Sequence, residues 1–248
     1  MKIIVIAAGY GSRLGEHTKE LPKALLDING KSILERQYEL LKIYNQKKII
    51  VIIGPHKTKF KNKKFQYVDD YLFKEHEQLG SLMAARSHFD DELIVIFSDI
   101  LFDNKILSKI FNTKCNVGMV VDLDWQKRYN GRTEHPISQA DLVLVKNNKI
   151  TKIQKNLKIN ANSNLSEFIG IMKLSKKGAK IFLEHFQHLE KNHRGSFQNA
   201  ESLQKAYLTD MIQDLIDKGI EITPISIEGD WCEIDTPQDL VRAKEMFR

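Results

Sequence analysis

The chain has 248 residues, 42% hydrophobic and 28% charged, with a formal net charge of +6. Such a length suits one large α/β domain or two small ones. The longest apolar runs, residues 3–8 and Ile49–Ile53, fall far short of the roughly 20 residues that span a bilayer. No membrane partner is therefore expected, and the cytoplasm is the expected location. Two cysteines, Cys115 and Cys232, are too few for a disulfide framework or a four-thiolate metal site. The positive balance favours anionic partners such as nucleotides and phosphorylated metabolites.

In chain order, residues 2–8 read as a strand, 33–44 as a helix with Leu34, Tyr38 and Leu41 on one face, and 48–53 as a second strand. The basic run HKTKFKNKKF, residues 56–65, has neither helix-face spacing nor a stacking platform, so it reads as a solvated loop and no nucleic-acid partner is expected. Residues 65–69 offer a third strand, 80–88 a helix, and 92–100 a buried strand ending in an acid. Residues 117–122 repeat that pattern of apolar run and carboxylate. This alternation argues for a Rossmann-like, mostly parallel sheet with helices on both faces. After residue 123 the chain turns polar, then alternating, with KNNK a good hairpin turn. EFIGIMKLS gives another strand, 176–191 and 200–218 two helices, and EITPISI a last strand.

The glycines directly after the first strand carry the chemistry. Gly9, Gly11 and Gly15 do not satisfy a Walker A loop, since no lysine follows Gly15, and the third glycine falls one residue late for the dinucleotide fingerprint. What remains is AAGYGSRL followed by LPKAL. Glycines let the backbone approach a triphosphate, with N–H groups facing its oxygens. Arg13 offers a fork for phosphate oxygens and Lys23 a point charge. With this motif the chain resembles the nucleotidyltransferases that join a nucleoside triphosphate to a phosphorylated metabolite. The likeness covers essentially the whole length and is strongest at residues 3–25, Asp99 and 231–239.

The resemblance implies a mixed, GT-A-like α/β fold in a single domain of residues 1–248. Its nucleotide-binding part spans about 1–122, and an acceptor-binding insertion about 123–175. It implies that Ala7, Ala8, Gly9, Gly11 and Ser12 meet the nucleotide, with Arg13 and Lys23 catalytic. Mg2+ is the implied cofactor, held by Asp99 of FSDI and Asp235 of WCEIDTPQDL, with Glu233 beside it. That late motif resembles the E-I-D-[ST]-x-x-D of phosphocholine and phosphonate cytidylyltransferases, and Asp239 within it reads as a helix N-terminal acid. In EQLGSLMAARSHF, Gln78 and Ser81 suit a pyrimidine and Gly80 a close backbone approach. The Gly-Thr-Ala signature of the sugar branch is missing there, which points toward CTP.

For the acceptor, the resemblance offers Lys155 in ITKIQKN, where the sugar branch has E-K-P and this chain has Gln154 and Asn156. It also offers Glu167 in EFIGIMKL. DWQKRYNGRTEHPISQADLV resembles a segment of cytidylyltransferases associated with phosphonate-forming enzymes. Arg128 and Arg132 there suit a dianionic phosphonate or phosphate, Trp125 suits a cationic head group, and His135 reads as a turn residue before Pro136. The implied reaction moves CMP from CTP to a small phosphonate or a phosphocholine-like acceptor, in a setting such as cell-surface polysaccharide biosynthesis. A homodimer is compatible with it. A sugar-1-phosphate nucleotidylyltransferase is the nearest alternative, and a non-catalytic nucleotide-binding regulator a remote one.

Overall fold

The computed structural model describes residues 1–46, 48–155, 157, 165–228 and 230–248. In its first half, β1 (Lys2–Ala7), α1 (Ile33–Ile43), β4 (Ile49–Ile53), β5 (Phe65–Asp69), α2 (Gln78–Ala84) and β6 (Leu93–Phe97) alternate as the apolar pattern requires, with a small hairpin of β2 (Asp27–Ile28) and β3 (Lys31–Ser32). Then come β7 (Ile100–Phe102), α3 (Asn104–Asn112), β8 (Val117–Asp122), β9 (Asp141–Lys146), β10 (Lys149–Lys155) and β11 (Leu165–Leu174). α4 (Lys176–Asn192), α5 (Leu208–Asp217), β12 (Thr223–Ile227), β13 (Trp231–Glu233) and α6 (Pro237–Met246) complete the order.

The main sheet runs β10-β9-β11-β6-β1-β4-β5, with β8 on β11 and β12 on β8. β1 is parallel to β4 and β6, β4 to β5 and β8 to β12, whereas β11 is antiparallel to its neighbours. The central strands are apolar at successive positions because both faces are covered. Alternation sends Ile3, Val5 and Ile94 to one side with Leu34, Leu41 and Leu107. It sends Ile4, Ile6 and Val95 to the other with Phe182 and Met211. Each such side chain contributes about 1.5–3 kcal/mol on burial. The expected mixed α/β sheet is therefore present, and no helix among the described residues is long and apolar enough to cross a membrane.

KNNK turns as expected. Asn147 and Asn148 have φ of 49° and 59°, the left-handed pair of a type I′ hairpin that Asn tolerates. Three boundaries differ from the sequence reading. β6 stops at Phe97, so Asp99 lies in the turn before β7 rather than at a strand end. The helix expected over 80–88 is α2, beginning at Gln78, and it gives way to a 3-10 turn at Arg86–His88. The helix expected over 200–218 begins only at Leu208. The carbonyls of Gln204 and Ala206 accept the N–H groups of Glu77 and Leu79, which the first turn of α2 leaves without helical partners. That service to α2 holds 200–207 out of the helix.

Candidate active site

Turns following β1 and β6, the end of β13 and the start of the β9–β10 hairpin converge on one cleft of about 590 Å³. At its floor the opening glycine motif bends sharply. Gly11 adopts φ 64°, and a Cβ there would come within 3.3 Å of Lys23 and Thr18, so glycine both permits the turn and lets the lysine pass. Lys23 follows Pro22 and drives its ammonium between two carboxylates. It donates to Asp99 Oδ2 at 3.0 Å and to Asp235 Oδ1. Arg13, half-exposed at the lip, donates to Asp235 Oδ2 at 2.6 Å.

The electrostatics follow from this packing. Burial works to lower the Lys23 pKa, but the charges of Asp99 and Asp235 outweigh it and hold it above the usual range. Asp235 is the counterpart: burial would raise it, yet Lys23 and Arg13 keep it below. Glu233 goes up, first because it is desolvated and then because Asp235 and Asp99 repel its charge. Asp99 Oδ1 is buried with no hydrogen-bond partner. A spare carboxylate oxygen beside a position already held by an ammonium fits a hard divalent cation with oxygen ligands. Donor atoms of Glu233 and Asp235 lie within 4.8 Å of each other, close enough to meet one such cation.

Ala7, Gly9, Gly11, Ser12 and Gln78 line the cleft. Three residues expected with them do not. Ala8 is buried in the apolar cluster with Ile6 and Leu79. Ser81 is buried and donates to Asp70 Oδ2 at 2.8 Å, because that interior carboxylate needs donors. Gly80 makes room for His76, whose ring would lie 2.6 Å from a Cβ.

Of the residues expected to meet an acceptor, Lys155 and Glu167 line the cleft; Asn156 lies outside the described residues. The other acceptor expectations need correcting. Trp125 is 5% exposed, donates Nε1–H to the Leu165 carbonyl and packs edge-on to Tyr129. Arg128 donates to the buried Asp122 and Arg132 to the buried Asp239, at 3.1 and 2.8 Å. These arginines neutralise interior carboxylates, which would be costly unpaired, and none of the three side chains lines the cleft.

Sequence reasoning missed others. His135 is no simple turn residue: it is 2% exposed, lines the cleft, and sits 3.5 Å from Asp235 and 3.7 Å from Glu233. Burial, then Arg132, pulls its pKa down to about 4, so the imidazole is neutral. Its partners lie far downstream, and no local spacing announces them. Asp141 also lines the cleft, with Oδ1 unpartnered, and burial pushes its pKa up to about 6. The available signal was an acid opening an otherwise apolar strand, opposite Lys155 across the hairpin. Glu167, already expected from the sequence, accepts from the Tyr129 hydroxyl on one oxygen and has the other unpartnered; burial pushes it up to about 8. Tyr207 adds an aromatic wall, with the Lys155 ammonium 5.1 Å from its ring centre.

A glycine turn opening on a lysine clamped by two carboxylates, at the end of a GT-A-like sheet, defines a nucleotidyltransferase. Residues 3–147, more than half of the chain, match the model of the MobA-like NTP transferase domain, and the chain belongs to that family. It is 27% identical over 252 residues to the CTP:phosphoglutamine cytidylyltransferase of Campylobacter jejuni, covering 97% of this chain and 98% of that protein. It is 32% identical over 108 residues to the choline-phosphate cytidylyltransferase of Streptococcus pneumoniae, covering 42% and 47% respectively. The solved CTP:phosphocholine cytidylyltransferase of Streptococcus pneumoniae superposes with a TM-score of 0.75 at 21% identity, covering 100% and 99% of the two chains, which supports the fold.

Proposed function

We propose that the chain is a cytidylyltransferase that moves CMP from CTP to a small phosphonate or phosphorylated alcohol or amine. The observation that carries this reading is the Lys23 ammonium held between Asp99 and Asp235, with Arg13 on the same carboxylate. An acceptor oxygen attacks the α-phosphorus, the bond from that phosphorus to the bridging oxygen breaks, and pyrophosphate leaves. Both reactants are anions, so the barrier is largely electrostatic, and the chain needs to position and neutralise rather than form a covalent bond. Lys23 and Arg13 supply the cations. Asp235 and Glu233, with Asp99 across the Lys23 ammonium, would hold Mg2+, whose charge would neutralise phosphate oxygens.

The choice of CTP rests on the cytidylyltransferases among the relatives and on Gln78 beside the glycine loop in the cleft. Lys155 suits the acceptor's phosphate or phosphonate. Glu167 and Asp141 each carry a buried, unpartnered oxygen, and such groups call for hydrogen-bond partners. An acceptor whose far end bears a hydroxyl, which both donates and accepts, or an ammonium for Asp141 would meet them, and a cation suits the ring face of Tyr207.

The test is a substrate matrix. Each nucleoside triphosphate is incubated with Mg2+ and 2-aminoethylphosphonate, 2-hydroxyethylphosphonate, phosphocholine or glucose-1-phosphate, and pyrophosphate is measured. The expected maximum in kcat/KM is CTP with one of the first three. A maximum at UTP with glucose-1-phosphate overturns the acceptor assignment, and no pyrophosphate from any pair overturns the reaction.

A further inference from the structure

The reaction described above leaves one nitrogen idle. His135 Nδ1 is buried without a hydrogen-bond partner, 3.5 Å from Asp235 Oδ2, while Nε2 lies 3.7 Å from Glu233 Oε2. Buried imidazoles normally hydrogen-bond through both ring nitrogens or ligate a metal. The ring is held by its surroundings, with Tyr129 tilted against it at 6.0 Å between centres. One donor atom from each of His135, Glu233 and Asp235 lies within 4.8 Å of the others, a span that a single ion bridges.

We propose that His135 is a nitrogen ligand to the divalent cation held by Glu233 and Asp235, and that this makes the site prefer Mn2+ to Mg2+. The inference rests on the reading that these carboxylates hold a cation, but not on the identity of nucleotide or acceptor. Mg2+ demands oxygen ligands and gives up its waters reluctantly. An imidazole in the set favours later first-row ions, whose affinity for nitrogen rises along the series from manganese. Lys23 occupies Asp235 Oδ1, on the side of Asp99. The His135 side meets Oδ2, where the competing group is the half-exposed Arg13.

The experiment uses the full chain stripped of metal by chelation and titrated with Mn2+ alone, followed by electron paramagnetic resonance. One equivalent is expected to bind, about tenfold or more tighter than Mg2+ in competition. Pulsed spectra should carry a directly bound nitrogen whose frequencies change when the histidines are labelled with nitrogen-15. His135→Gln should lose that coupling and bring the two ions within about threefold of each other. Stoichiometric Mn2+ with an all-oxygen spectrum overturns the proposal, as does failure to bind Mn2+ or an unchanged preference in His135→Gln. If that variant does not fold, the isotope comparison on the unaltered chain decides alone. These readouts are independent of the substrate matrix, so a failed cytidylyl transfer and a failed nitrogen ligand are told apart.

Discussion

Lys23 touches both carboxylates that would hold the metal, so its loss should register in the chemical step. Lys23→Ala is expected to lower kcat by about 10²–10³, the usual cost of losing a group that stabilises developing charge, with a smaller rise in the KM for CTP. Asp99→Asn and Asp235→Asn should each cost at least as much while leaving thermal unfolding cooperative. Steady-state kinetics at limiting Mg2+ check this, and retention of half the activity by both Asn variants returns the pair to a structural role. Glu167 makes a different prediction, in pH. Its folded pKa of about 8 stands above the ordinary 4.5 because burial disfavours the charge, so the fold prefers the protonated acid. The stability tied to that proton is complete below about pH 4.5 and is lost progressively as pH rises toward 8. Glu167→Gln, neutral at every pH, should flatten the decline of Tm with pH over that window, measured by scanning calorimetry. An unchanged slope would show that Glu167 ionises freely.

The last helix shows how an element places a residue. Thr236 caps α6: its hydroxyl accepts the Asp239 N–H while the Asp239 carboxylate accepts the Thr236 N–H, with Pro237 in the first turn. This capping box fixes the chain immediately after Asp235, whose own N–H also reaches Asp239. Thr236→Ala should cost about 1 kcal/mol. Asp239→Ala should cost more, up to about 3–5 kcal/mol, because it also removes the hydrogen-bonded carboxylate of the buried Arg132, leaving only Glu233 at 3.6 Å; urea denaturation separates the two. The Asp239 cap was legible from the acid after Pro237, as were the hairpin at KNNK and the apolar strands, because each is written in adjacent residues. The α5 boundary was not, since 200–207 is held by carbonyls given to α2 across the fold. Arg128 and Arg132 misled for the same reason. An arginine bound for solvent phosphate and one bound for an interior carboxylate look alike until the partner's position is known.

In the whole molecule, β11 is the common member. Its N-terminal half pairs with β9 and its C-terminal half with β6, while β8 runs along its other edge. The β1–β6 half of the sheet and the β9–β10 hairpin therefore share backbone hydrogen bonds through β11, and the chain should unfold as one unit. Far-UV circular dichroism and the fluorescence of Trp125, in the turn after β8, and Trp231, beside the cleft, should give coincident transitions. Two separated transitions would divide the chain into independent domains. The switch of partner on β11 occurs around Gly170, which has φ 81° and leaves no room for a Cβ against Phe97. Hanging the β9–β10 hairpin beyond this bend predicts where a chimera can be joined: exchange of the segment between β8 and Gly170 should leave the pairing of β6 with β1 intact, provided the partners of the hairpin on α5 and at Ile222 travel with it.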